Sequence, residues 1–185
     1  MRSPGTGLQR RWRSSSACWR IAGGGRMIDL LAPGLDIVFC GTAKGHISAR
    51  TGSFYANPSN RFYRTLHDAG LTPELVSPKD FRRLLDYGIG LTDLNQSESG
   101  MDKALTLSAF DIAAFEEKMR HFRPKLIAFT SLTGARIYFG DKKISCGLQQ
   151  RTLDGIAIAA LPSTSGANGH WTKDRHHWYQ LPEMI

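Results

Sequence analysis

The chain has 185 residues, 41% of them hydrophobic and 22% charged, a size that suits one domain burying about 70% of its unfolded surface. Its net charge of +8 is unevenly placed: residues 1–26 hold six Arg and no acid, leaving 18 basic against 16 acidic residues elsewhere, so any grip on phosphate must come from local patches. Three cysteines, at 18, 40 and 146, are too few and scattered for a disulfide framework, zinc ribbon or iron–sulfur cluster, and no apolar run approaches the ~20 residues that span a bilayer. No metal or cofactor is expected.

Residues 1–26 lack both a hydrophobic period and the apolar run of a signal peptide. They read as a basic, disordered tail or as translation from an upstream start, with a single domain over 27–185; a DNA-gripping arm is the alternative. DIVFC (36–40) is a buried strand closed by Gly41, with Cys40 a small core residue. NRFYRTLHDA (60–69) carries Phe62, Tyr63 and Leu66 at helical spacing before Gly70. Residues 78–86 form a second short helix. SAFDIAAFEEKMRHF (108–122) is the strongest helix, with Ser108 as N-cap and Phe110, Ala113, Ala114 and Met119 on one face. KLIAF (125–129) is a strand, 134–139 a helical turn, IAIAAL (156–161) a strand and 171–179 a weaker aromatic helix. Strands that alternate with helices and read as continuous apolar runs predict a parallel sheet covered on both faces. Ligands then bind beyond the carboxyl ends of the strands, where two loops rich in Gly, Ser and Thr fall, 41–55 and 162–169. No P-loop or GxGxxG is present.

The string LAPGL…VFCG…TG…NRF…LLDYG…LT, with PKLIAF and ALPSTSG downstream, closely resembles the mismatch-specific uracil-DNA glycosylase and thymine-DNA glycosylase family over most of 29–169. The resemblance implies a three-layer α/β/α sandwich around a parallel four-stranded sheet. It also implies a monofunctional enzyme that flips uracil out of DNA and hydrolyses its N-glycosidic bond. The expected partner is uracil-containing DNA, single- or double-stranded. The expected protein is a cytoplasmic monomer, nucleoid-associated in a bacterium, with no membrane association.

That reaction expels the base as an anion and leaves an oxocarbenium-like sugar. It needs a group for water, donors for the base and an aromatic platform. Tyr55 in GSFYANP maps to the platform, with two core aromatics as the plainer reading of Phe54 and Tyr55. Ser48 falls where relatives that exclude thymine carry a bulky side chain. The water loop departs from the family: GINPG becomes GTAKG, and Ala43 replaces the water-positioning Asn. Asn57 and Asp93 are the candidates to take over, against readings as a turn former before Pro58 and as a cap or surface charge. Asp93 is expected in a loop. The second motif departs as well, with Ser163 replacing an amide and Ala167 replacing the apolar wedge. Ser163 and Ser165 offer hydroxyls, and the backbone amides of Thr42 and Ala43 offer donors to a base carbonyl. Lys44, Ser165, Gly166, Ala167 and Asn168 are the expected DNA contacts. Lys44 also raises a lyase route through a Schiff base, which requires a desolvated amine. The cluster His170, Trp171, Lys173, Arg175, His176, His177, Trp178 suits a nucleic-acid strand or a helix docking its tryptophans. Two alternatives stand beside uracil excision: a glycosylase for another deaminated base such as hypoxanthine, and a lesion-binding protein that does not cut.

Overall fold

A computed structural model of the protein describes residues 29–99 and 110–185, with backbone alone at 97–99. The expected tail 1–26 and the proposed cap at Ser108 lie outside the described residues. The elements run β1 (Ile37–Lys44), α1 (His46–Thr51), α2 (Phe62–Asp68), a 3-10 helix (Pro78–Tyr87), β2 (Ile89–Ser99) and α3 (Ile112–Phe122). They continue through β3 (Leu126–Phe129), α4 (Leu132–Phe139), β4 (Gly147–Leu148), β5 (Ala157–Ala160), α5 (Trp171–Asp174) and α6 (His176–Tyr179).

The sheet order is β2-β1-β3-β5-β4. Four strands are parallel, and the two-residue β4 adds an antiparallel fifth at the edge of β5. Strand residues alternate between two cores. Ile37, Phe39, Leu91, Ala128 and Ala159 pack with Phe62, Leu66, Leu84 and Trp178 on one face. Val38, Cys40, Ile127, Phe129 and Ile158 pack with Phe115, Met119, Phe122 and Tyr138 on the other. These are the three layers expected of a parallel sheet whose strands are apolar on both sides. Cys40 is fully buried within the second core.

Several expectations need correction. The first strand does not stop at Cys40: β1 continues through Gly41, Thr42 and Ala43 to Lys44, and α1 follows at once. The supposed loop 41–55 therefore begins as paired strand. Asp93 lies inside β2 rather than in a loop, because GIGLTDLNQ pairs along β1 despite its polar content. In α3 the cap is Asp111, whose side chain accepts from Ala114 N, and the buried stripe is Phe115, Met119 and Phe122. Ala113 and Ala114 are exposed. The aromatic C-terminal segment divides into α5 and α6, two four-residue helices.

Trp178 settles one reading of that segment. It is completely buried, stacks on Phe39 at 5.4 Å and donates its indole N–H to Pro162 O at 2.9 Å. The bond ties α6 to the loop that follows β5. Truncating a packed Trp costs about 3–5 kcal/mol. Trp178→Ala is therefore expected to lower the denaturant midpoint sharply, while Lys173→Ala on the exposed face leaves it nearly unchanged; equilibrium unfolding in urea checks this.

Candidate functional site

The ladder between β1 and β3 ends at Cys40↔Phe129, whereas β1 continues beside β2 as far as Lys44. Beyond the divergence, at the carboxyl ends of the strands, lies a cavity of about 650 Å3. Its walls come from the end of β1, from α1, from Phe54 and Tyr55, from Asn57–Asn60, from Thr130 and Ser131 after β3, and from Ser163–Asn168 after β5, with Asp93 reaching in from β2.

Residues 59–61, just ahead of α2, bond directly to the turn that follows β5. Arg61 N donates to Thr164 O and the Arg61 guanidinium to Ser165 O, both at 2.9 Å. Thr164 Oγ1 donates to Asn60 Oδ1 at 2.8 Å. Gly166 is required at this seam, since a Cβ there would lie 2.7 Å from Ser59. Arg61 also sits 5.6 Å over the half-buried Trp171 ring, joining α5 to the same corner.

Asp93 is the carboxylate of the cavity. Parallel pairing sets it beside Gly41, and the missing side chain leaves it room: a Cβ on Gly41 would fall 2.3 Å from Asp93 Oδ1 and 3.4 Å from the Tyr55 hydroxyl. The residue is 5% exposed, and its Oδ2 is buried without a hydrogen-bond partner. Burial pushes its pKa up to about 7; the Lys44 charge opposes the shift and Asp29 adds to it. Asp29 is itself anchored behind β2, where it accepts from Thr92 and Gln96 at 2.9 and 2.6 Å and pairs with Lys118.

Tyr55 holds a left-handed backbone, φ 50°, and its ring lies 3.9 Å from that of Phe62, nearly parallel. Thr130 Oγ1 donates to Cys40 O and so accepts from the Tyr55 hydroxyl at 3.0 Å. Burial, and then the Asp93 charge, raise the Tyr55 pKa well above its ordinary value. The phenol is therefore a neutral donor in the physiological range.

The remaining sequence candidates also line the cavity, with different freedoms. Asn57 is exposed at the rim and its Oδ1 accepts from Ser59 N and Ser59 Oγ, the turn-forming arrangement. Ser48 is buried and its Oγ accepts from Ala56 N at 3.1 Å. Ser163 Oγ accepts from Ser165 N, which leaves its proton to offer. Asn168 braces the loop by donating to Ser163 O at 2.8 Å, while Ala167 stands exposed and its N–H donates to Ser165 Oγ at 3.3 Å. Thr42 Oγ1 lies 2.7 Å from Ser131 Oγ, which caps α4 by accepting from Gly134 N. Lys44 is 7% exposed. Sequence reasoning missed Thr130 and Ser131; the turn FTSLTG after an apolar strand was the available signal. Among the described residues no cluster of His, Cys, Asp or Glu is arranged to hold a metal, and no helix is long and apolar enough to cross a membrane.

Residues 28–182 match the sequence model of the Uracil DNA glycosylase superfamily, and the chain belongs to that superfamily. Among solved structures it is similar to a solution NMR structure from Methanosarcina acetivorans, a protein provisionally assigned as a uracil DNA glycosylase. The TM-score is 0.60 at 21% identity, over 84% of this chain and 94% of that one, a likeness of fold.

A buried carboxyl with a raised pKa has a defined effect on stability. Between the unfolded value near 4 and the native value of about 7, the native state binds more protons than the unfolded chain. Stability therefore falls as pH rises through that window and levels off above it. Asp93→Asn is expected to leave stability nearly unchanged at pH 4 and to raise it by several kcal/mol at pH 8; paired urea unfolding curves at the two pH values check this.

Proposed function

We propose that this member of the superfamily extrudes uracil from DNA into the cavity and hydrolyses its N-glycosidic bond, leaving an abasic site. One observation carries the reading: a buried, unpartnered carboxylate oxygen in a cavity at the carboxyl rim of a parallel sheet, walled by the end of β1, α1 and the polar turn after β5. Of the residues that carry the resemblance to the mismatch-specific and thymine-DNA glycosylase branch, Gly41, Asn60, Ser165 and Gly166 line the cavity, which supports placement near that branch.

Asp93 positions the water and takes its proton as oxygen bonds to C1′ of the sugar. Alanine at 43 can do neither, so the role passes from the end of β1 to the neighbouring strand. The Asp93 carboxylate also faces the cation that develops on the sugar, a favourable charge placement in a water-poor site. The flipped ring slides over the face of Tyr55 that Phe62 does not cover, and base–aromatic stacking is worth about 1–3 kcal/mol. Ser163 offers a hydroxyl proton to the oxygen of the departing base. Ser48, small and already turned toward Ala56 N, leaves space around the 5-position of the pyrimidine. Asn57 serves the turn before Pro58, because its carbonyl oxygen is already occupied there.

Removing a positioned general base costs about 10²–10⁴-fold in rate, or roughly 3–5 kcal/mol of barrier. Asp93→Ala is thus expected to slow uracil release by that factor. Asn57→Ala is expected to change it by less than about tenfold. Single-turnover assays on a labelled uracil oligonucleotide, followed by alkaline scission, measure both; equal activity of Asp93→Ala and the unaltered protein overturns the assignment.

Ala167, at the exposed tip of the second turn, is too short to fill the gap left in a duplex. Stabilisation of the opened helix is correspondingly weak. Single-stranded uracil DNA is expected to be processed at least as fast as U·A or U·G duplexes. A strong preference for U·G in a three-way comparison contradicts this account of the turn.

A further inference from the structure

Base release leaves a deoxyribose whose C1′ opens to an aldehyde, and an amine beside it can condense with that carbon. The cavity lining includes a lysine. Lys44 is the one lysine among its described lining residues, and it lies on the β-bulge where β1 slips register with β2, Ala43 pairing Asn95 and Lys44 pairing Ser99. The residue is 7% exposed, it shares the cavity lining with the buried Asp93, and its charge is the foremost electrostatic influence on that carboxylate. A buried lysine and a buried carboxylate therefore line one cavity. Sequence alone left the burial of this lysine open; the structure withdraws the residue from solvent.

We propose that the cavity supports a second activity, cleavage of abasic DNA by β-elimination, with the Lys44 amine as nucleophile and Asp93 as proton acceptor. The inference rests on the reading that this cavity accepts an extruded nucleotide. The Lys44 ammonium passes a proton to the Asp93 carboxylate, and the freed Nζ adds to C1′ of the open sugar. The carbinolamine recovers that proton on its hydroxyl and loses water, leaving an iminium ion. The regenerated Asp93 carboxylate removes a proton from C2′. The electron pair moves toward C3′ and expels the 3′-phosphate, cutting the strand. Water then hydrolyses the conjugated imine, restoring the lysine and releasing an unsaturated aldehyde. The sequence needs no oxidant, reductant or metal.

The test uses the full chain and an oligonucleotide with a preformed abasic site, so that it does not depend on base release. Sodium borohydride reduces the iminium and fixes a protein–DNA adduct, which peptide mass spectrometry then locates. The expected result is an adduct on the peptide carrying Lys44, strand scission without alkali, and loss of both to background in Lys44→Arg, where the guanidinium keeps the charge but forms no imine. Absence of an adduct, or an adduct confined to another lysine or to the terminal amine, overturns the proposal. Uracil release is measured in parallel. Release without an adduct sinks the lyase step alone, an adduct at Lys44 without release sinks the glycosylase reading alone, and failure of both sinks the two together.

Discussion

Parallel pairing of Gly41 with Asp93 is the constraint around which this cavity is arranged. Any larger residue at 41 drives its Cβ into the carboxylate, since even the first carbon would stand 2.3 Å from Oδ1. The glycine is needed for the space it leaves, not for an unusual backbone angle. That space lets a carboxyl group sit inside the sheet, at the point where β3 parts from β1. The Tyr55 hydroxyl approaches the same spot and is held there through Thr130 and the Cys40 carbonyl. The Tyr55 ring and the carboxylate are thus fixed to one short length of β1.

The arrangement carries an energetic penalty that helps to identify it. A buried carboxylate oxygen without a partner destabilises a fold, and side chains are seldom left in that condition without a use. The rest of the protein supplies compensation at a distance. Two apolar cores flank the sheet, Trp178 clasps the last strand's loop from below, and Asp29 with Lys118, Thr92 and Gln96 stiffens the outer side of β2. The Lys44 charge opposes the shift, so the Asp93 carboxyl is poised near neutrality rather than locked in its acid form. A group so poised can accept a proton and return it within one reaction cycle.

Layering and three of the four parallel strands were legible in the sequence, because DIVFC, KLIAF and IAIAAL are short apolar runs and nothing else in the chain resembles them. The fourth was not. In β2 Gly90, Thr92, Asp93 and Asn95 interrupt the apolar pattern, and those polar residues become buried only through pairing with β1. The same blind spot placed Asp93 in a loop and made its candidacy look weak. Motif departures at Ala43, Ser163 and Ala167 did show that the site differs from the family pattern. Only register, a relation between residues far apart in the chain, identifies the neighbour that faces Gly41. Helix α3 erred in the opposite sense: the alanines suggested a face, but three bulky residues, Phe115, Met119 and Phe122, set the buried stripe. Asn57 and Asp93 both stood as candidates in the sequence, and their hydrogen bonding differs: Asn57 Oδ1 accepts within its own turn, whereas Asp93 Oδ2 has no partner.

All of this turns on whether a carboxyl group inside the cavity wall changes protonation near neutral pH. Titration of the Asp93 side-chain carbon by 13C NMR, assigned by difference with Asp93→Asn, measures that directly. The account predicts a midpoint of about 7 in the native protein; a midpoint near 4, as for a solvated aspartate, contradicts it.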